Sequence, residues 1–395
     1  MPLTMHVRHR RRPIERQIAR QIMRVLFSNV EGNLMSAKQS MVTLLREARG
    51  WTQTQLAQKA ALSQAVISKV ETGALELDPE RLARLADALD CRPESLEQSA
   101  TPTSIEITCL HRRRASTMTM STIKRIEAVT QLSRISVEGL LDGVELAPAR
   151  SFERIPITAD RGAAEVAGEL RRRWSVPAGP ISNLIGLVES AGVVVVFRSF
   201  GTSGQDAVST WPQDPDRPPM MLVNADLSSD RLRFTVAHEL GHLVMHALPS
   251  DDQEAEANVF AGEFLAPANE IREQLEGLTT SDFRRLMALK SEWGMSMAAL
   301  IRRAHDLQTI SARQYREFQV RLGKLGWRKS EPGDVARETP SVVDKIIALQ
   351  RNAHDYSDDE LARLAGMTEA AFRRHYLAPS TNAPPRAQLR LALDE

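Results

Sequence analysis

The residues best suited to do chemistry are His238, Glu239 and His242, which form a His-Glu-x-x-His pattern. On a helix, the two histidines lie one turn apart on the same face, so both imidazoles could bind one Zn2+ at roughly 2.0–2.1 Å. Glu239 would then be placed to take a proton from a water molecule on that zinc. The alternative is a pair of surface histidines, but apolar neighbours such as Val236 and Leu240 favour a helix buried beside a core.

A catalytic zinc needs a third protein ligand, and spacing alone leaves the choice open. Glu256 and Glu263 lie seven residues apart, on one face of the next predicted helix, and either could reach the metal. His246 follows His242 by one more turn. A metal seated between the first two histidines would be about 5.4 Å of helix rise away from it. We therefore interpret His246 as a core or helix-end residue.

A second pattern, Trp51 to Gly73, predicts two short helices joined by a tight turn. Thr52 and Ser63 precede them and can each accept a backbone N–H as an N-cap. The second helix has the character of a recognition helix, whose N-terminal end meets the major groove of DNA. Its outward residues would be Gln64, Ala65, Ser68 and Lys69. The alternative is a helical interaction domain in which this face is merely solvated.

The distribution of basic and acidic residues supports a DNA-facing surface on this segment. The whole chain carries a net charge of only +1, so DNA affinity must come from local charge. Bases outnumber acids between Val42 and Gly73, whereas acids outnumber bases seven to three from Ala74 to Gln98. The acidic side would be solvated or would form a dimer interface. Because the positive charge is small, we expect a homodimer on DNA.

The N-terminal segment, residues 1–40, is rich in arginine and is predicted to be a disordered arm. The alternative is an arm that touches DNA phosphates. It lacks the apolar stretch of a secretory signal. The two cysteines, Cys91 and Cys109, form no C-x-x-C pair, and no apolar run approaches the roughly 20 residues of a membrane span. These features favour a cytoplasmic protein without membrane contact.

Periodicity and helix breakers divide the chain into five regions. These are a basic arm (1–40), five short helices (41–98), a linker with one helix (99–154), a domain containing the His-Glu-x-x-His motif (155–275), and a helical C-terminal region (276–395). Strands are predicted at Val193–Phe197 and Met220–Val223, with a loop between them, and motif helices at about 230–247 and 252–265. The fold class is thus mainly α, with a small sheet in an α+β second domain.

Residues 41–96 resemble the Xre/Cro family of helix-turn-helix repressors. The resemblance implies a double-stranded DNA operator, contacted by Gln53, Gln64, Ala65, Ser68 and Lys69. One departure is Ala61, where the family usually has glycine in the turn. Alanine can adopt the left-handed conformation required there at a cost of about 1 kcal/mol.

Residues 155–270 resemble the ImmA/IrrE family of metallopeptidases. The resemblance lies in two motifs, Arg233-Phe-Thr-x-Ala-His-Glu-Leu-Gly-His and Glu256-Ala-Asn-x-Phe-Ala-x-Glu-Phe-Leu-x-Pro267. It implies a zincin-like fold with His238, His242 and Glu256 as zinc ligands and Glu239 as general base. Glu263 would either orient a ligand from outside the metal position or be structural. The implied substrate is a partner repressor or an antitoxin-like protein, and the implied setting is a stress response.

Three functions remain open on the sequence. The favoured one is a DNA-binding regulator that cleaves a partner protein. The second is a transcription factor whose protease-like domain senses a ligand or metal without proteolysis, and the third is an antitoxin-type regulator. The C-terminal segment from Tyr356 to Tyr376 has the sequence pattern of a second helix-turn-helix. It contains few basic residues, however, which favours a packing or dimerisation unit.

Overall fold

A computed structural model describes residues 4–7, 40–97, 118–202, 204–212, 214, 217–247, 250–328 and 330–377. Most of the predicted basic arm, residue 98 and residues 99–117 of the predicted linker lie outside these ranges. The described chain is mainly helical with a small three-stranded sheet, which confirms the predicted fold class. None of the helices described is both long and apolar enough to cross a membrane.

The N-terminal domain contains the five predicted helices: α1 (Met41–Ala48), α2 (Gln53–Lys59), α3 (Gln64–Glu71), α4 (Pro79–Ala88) and α5 (Pro93–Glu97). Thr52 and Ser63 cap α2 and α3 by accepting backbone N–H groups, as their sequence positions predict. Ala61 has φ 51°, so it adopts the left-handed conformation that the turn requires. Leu56, Ile67 and neighbouring apolar side chains form the core of this domain.

Part of the segment predicted as a disordered arm is a strand. Thr4–Val7 (β1) pairs antiparallel with Val144–Ala147 (β2), with Thr4 opposite Ala147. The sequence pattern did not predict this strand, because such patterns reflect local preferences and β1 forms only by pairing with β2, far along the chain. The N-terminus is thereby tied to the segment that enters the second domain.

The second domain is built around the sheet β3-β5-β4, in which β3 runs parallel and β4 antiparallel to β5. Its strands are β3 (Val194–Arg198), β4 (Ala207–Thr210) and β5 (Met220–Asn224). The helices before and within the motif region are α6 (Met120–Leu140), α7 (Ala163–Arg173), α8 (Leu184–Ser190), α9 (Ser229–Met245) and α10 (Gln253–Leu265). The helices that follow are α11 (Ala268–Leu275), α12 (Phe283–Trp293), α13 (Met297–Asp306) and α14 (Ala312–Lys324).

Both faces of the sheet are covered. Val193 and Val195 point into the core formed with α7 to α14, whereas Val194 and Val196 point into a second core formed with α6 and the C-terminal helices. This alternation follows from the period of two along a strand. The sheet therefore separates the motif helices from α6, and β4 lies at its edge beside α9.

The C-terminal helices α15 (Val342–His354), α16 (Asp358–Leu364) and α17 (Glu369–Phe372) end in a π-helical turn, Arg373–Leu377. They pack between the sheet and the N-terminal domain. The Ser95 hydroxyl donates to the Gly366 carbonyl at 3.2 Å, and the Thr368 hydroxyl donates to Asp90 at 3.0 Å. The unit that imitates a helix-turn-helix thus packs within the chain, on the acidic side of the N-terminal domain.

Helix α6 connects the two halves. It is longer than the helix predicted at about 123–132. Its Ala128 is buried against Met41 and Leu44 of α1. Its C-terminal half, with Val137 and Leu140, packs on the sheet. One helix therefore contacts both the N-terminal domain and the sheet that borders the motif helix.

Candidate functional site

The His-Glu-x-x-His motif lies on α9, which is buried along most of its length. His238 and Glu239 are 6% exposed and His242 is 4% exposed. Gly241, between the motif residues, allows α10 to approach closely, because a Cβ atom there would lie 3.0 Å from a ring carbon of Phe260. The close approach of the two helices brings the acidic first turn of α10 to the histidines.

Three side chains converge at this point: His238, His242 and Glu254. The two Nε2 atoms are 3.1 Å apart, and Glu254 carboxylate oxygens lie 3.4 Å from His238 Nε2 and 3.6 Å from His242 Nε2. Ligands at roughly 2.0–2.1 Å in a tetrahedron around zinc would be about 3.3–3.4 Å apart. Two imidazoles and one carboxylate at these separations fit a single metal ion and leave a fourth position for water or substrate.

The acidic side chain that joins the two histidines is thus Glu254, whereas the resemblance implied Glu256. Glu256 instead lies 3.0 Å from Nε2 of His246. Residues two apart on a helix point about 200° away from each other, so Glu254 and Glu256 cannot both face one metal. Glu263 lies further along α10, where it pairs with Arg303 and accepts a bond from the Ala268 amide, as a structural residue would.

Outer hydrogen bonds orient both histidines. His238 Nδ1 lies 3.1 Å from the Asn258 side-chain oxygen, which can only accept, so Nδ1 carries the proton and the unprotonated Nε2 faces His242 and Glu254, where it can bind a metal. His242 Nδ1 lies 3.0 Å from His246 Nδ1, and His246 in turn contacts Glu256. When His246 donates from Nε2 to the Glu256 carboxylate, its Nδ1 accepts from His242, and Nε2 of His242 is then unprotonated and faces the same point as Nε2 of His238. Such partners fix the tautomer of metal-binding histidines.

Glu239 lies beside this triad with a partner of its own. The Ser209 hydroxyl on β4 donates to the Glu239 carboxylate at 2.6 Å. Burial raises the pKa of Glu239, while nearby His238 and the Ser209 hydrogen bond oppose that rise. A buried carboxylate with a raised pKa is suited to accept a proton near neutral pH.

Sequence reasoning missed Glu254, Asn258 and Ser209. Asn258 lies within the second motif quoted for the metallopeptidase resemblance, and Glu254 lies four residues before it, on the same face of α10. Ser209 had no signal, because its segment was predicted to be a loop.

The predicted DNA-binding residues lie together on α2 and α3. Gln64, Ala65 and Lys69 are exposed, while Gln53 and Ser68 are half-buried. The Gln64 amide donates to Gln53 at 2.7 Å, and the Gln53 amide donates to Glu71 at 2.8 Å. This chain of hydrogen bonds holds the Gln64 side chain at the start of α3, where a recognition helix meets base edges.

We expect the double substitution Gln64→Ala and Ser68→Ala to reduce sequence preference while the fold is retained. Removing each hydrogen bond to a base should cost about 1–3 kcal/mol of discrimination. Gln58→Ala is the matched control, because Gln58 is an exposed glutamine on α2 outside this residue set. Gel-shift titrations against operator and scrambled duplexes measure the effect. Unchanged preference in the double variant would show that α3 does not read the bases.

Comparison with protein families assigns both regions. Residues 43–96 match the family model described as Helix-turn-helix, and residues 188–305 match the one described as IrrE N-terminal-like domain, a peptidase family. Both resemblances, in this order along the chain, are as the sequence predicted. The second match includes His238, Glu239, His242 and Glu254. No curated protein matches the chain.

Proposed function

We propose that this chain, a regulator with a DNA-binding helix-turn-helix domain and a protease-like domain, is an active zinc metallopeptidase that cleaves a partner repressor or antitoxin-like protein. The observation that carries the proposal is the group of two buried histidines, His238 and His242, and the half-buried Glu254, with the buried Glu239 beside it. A purely structural metal site needs no general base, yet here a carboxylate is held next to the ligands by its own hydrogen bond.

We assign zinc to His238, His242 and Glu254, and we propose this set in place of the one containing Glu256. Two nitrogen donors and one oxygen donor suit Zn2+, and an open fourth position is typical of catalytic sites. When bound there, the ion would supply Lewis acidity, which polarises a substrate carbonyl and acidifies water. The distances between the donor atoms and the orientation of both imidazoles support this assignment.

The remaining steps belong to residues of the chain. Glu239 would take the proton of the attacking water and deliver it to the leaving amine as the peptide bond breaks. Burial favours this role because it disfavours the charged carboxylate and so strengthens it as a base. Ser209 would hold the carboxylate in place, since its hydroxyl binds one of the two carboxylate oxygens.

The test is incubation of the purified, zinc-loaded chain with a panel of repressors of the Xre type and with antitoxin-like proteins. Mass spectrometry should detect two fragments of one panel member that share a single cleaved bond. Treatment with a chelator should prevent cleavage, and zinc should restore it. If every panel member stays intact while zinc is bound, the alternative of a sensor without proteolysis is favoured.

We further propose that the protein acts in the bacterial cytoplasm, on a double-stranded DNA operator and as a homodimer. Helix-turn-helix proteins commonly read half-sites about 34 Å apart as dimers, and the local charge here is small. Because the C-terminal unit contacts Asp90 and Ser95, we place the dimer interface on another surface. Light scattering should give twice the chain mass, with a near-palindromic footprint. A strictly monomeric protein, both free and on DNA, would contradict this proposal.

A further inference from the structure

Arg134 on α6 is a buried charge on the opposite side of the sheet from the motif helix. It is 1% exposed, and burial lowers the pKa of its guanidinium. Its Nη2 donates to the Thr210 hydroxyl at 2.7 Å and to the Thr210 carbonyl at 3.3 Å, and its Nη1 donates to Glu138 at 2.9 Å. A buried guanidinium is costly unless such partners are geometrically good, and an apolar side chain would fill the position at lower cost.

The strand that Arg134 holds is the one that carries Ser209. Successive residues of a strand point to opposite faces, so Thr210 points toward α6 and Ser209 toward α9. The hydrogen bonds agree, because Thr210 binds Arg134 and Ser209 binds Glu239. Two adjacent residues of β4 therefore connect the buried arginine with the catalytic base.

β4 needs this support. It has four residues, lies at the edge of the sheet and is bonded to β5 alone among the strands of its sheet. Thr210 is its last residue and pairs with Met220, and Trp211 directly after it donates to the Leu243 carbonyl of α9 at 3.0 Å, so the end of this short strand is held by few bonds. Arg134 supplies two bonds at that point, one to the backbone and one to the side chain.

We propose that Arg134 is a positioning residue for Glu239, acting through Thr210 and Ser209 of β4. It fixes the end of β4, and β4 in turn fixes the hydroxyl that binds the base. The planar fork of arginine reaches Thr210 and Glu138 together, which a lysine could not do. This inference rests on the proposed peptidase function, in which Glu239 is the base.

The test compares the full-length variants Arg134→Gln, Thr210→Val and Ser209→Ala with the wild type. Lys124→Gln is the matched control, because it removes an exposed cation from the same helix. Hydrogen exchange of residues 207–210 and zinc content are measured in every variant. Cleavage is measured on the repressor that the wild-type chain cuts.

We expect Arg134→Gln to accelerate exchange in β4 at least about tenfold, to retain zinc, and to lower cleavage by about 10- to 100-fold, as small displacements of catalytic groups do. Thr210→Val removes the hydroxyl, which accepts from Arg134 and donates to the Met220 carbonyl at 3.4 Å. It leaves the Thr210 carbonyl as an acceptor for Arg134, so it should have a smaller effect of the same kind. Because Arg134 acts through Ser209, adding Arg134→Gln to Ser209→Ala should lower cleavage little further.

The proposal would be overturned if residues 207–210 exchanged no faster in Arg134→Gln and Thr210→Val than in the control Lys124→Gln, whatever the effect on cleavage. Loss of zinc in Arg134→Gln would also overturn the proposal, because it would indicate a general structural role. The same conclusion would follow if the losses of cleavage in Arg134→Gln and Ser209→Ala multiplied fully in the double variant. If the wild type cleaves no candidate repressor or antitoxin, the peptidase function fails, while the exchange data still decide whether Arg134 holds β4.

Discussion

Replacing Glu239 by glutamine will lower cleavage of the substrate by about 10²–10⁴-fold, the usual contribution of a general base. Glutamine has nearly the size and shape of glutamate and can still accept the Ser209 hydrogen bond through its carbonyl oxygen. It cannot accept a proton from water. Zinc should stay bound with nearly unchanged affinity, because Glu239 is not among the three side chains that converge on the metal position.

DNA binding is the internal control for this variant, since α2 and α3 lie in another domain. Operator affinity should therefore persist in Glu239→Gln. If the regulatory output in cells disappears with cleavage, proteolysis is the switch. If that output survives fully in a protein shown to retain zinc, the site is a sensor or a relic, and the alternative function is correct.

The second large effect concerns the third ligand. Glu254→Ala should abolish stable zinc binding, because two imidazoles alone leave the ion under-coordinated. Glu256→Ala is the matched control, a substitution of the same type two residues along the same helix. Glu256 contacts His246, so its removal should cost only about 10- to 100-fold in affinity, as is typical for residues that orient a ligand from outside.

Zinc affinities of both variants, measured by competition with a chelating dye, separate the two assignments. His246→Ala should resemble Glu256→Ala, because both interrupt the same chain of hydrogen bonds to His242. Glu263→Ala should leave zinc binding unchanged. Retention of zinc by Glu254→Ala together with its loss in Glu256→Ala would restore the ligand set that the family resemblance implied.

The N-terminal domain could be predicted closely because its signals are local. Each signal depends only on residues a few positions away along the chain. These signals are the N-caps at Thr52 and Ser63, the turn at Ala61 and the apolar spacing of the five helices. The motif helix was equally readable, since a spacing of four residues places His238 and His242 on one face whatever surrounds them.

The missed features depend on contacts between distant segments. β4 is short and lies in a stretch with glycine, proline and aspartate, so only its pairing with β5 makes it a strand. Ser209 was missed with it. β1 was missed for the same reason, because its partner β2 begins at Val144.

The choice between Glu254 and Glu256 depends on how α10 is rotated about its own axis relative to α9. Packing of Phe260 against Gly241 fixes that rotation. The sequence reveals two acidic residues in the first turn of α10, but not which of them faces the histidines. A family motif indicates which residue types occur and in what order, but it does not determine how α10 is rotated about its axis.

The most direct test of the account is the zinc stoichiometry of the wild-type chain. The full-length protein is dialysed against zinc and then against metal-free buffer, and its metal content is measured by inductively coupled plasma mass spectrometry. We predict one tightly held zinc ion per chain, because His238, His242 and Glu254 form a preorganised set of three ligands. A chain that retains no metal after this treatment would contradict the metal centre, and with it the proposed peptidase.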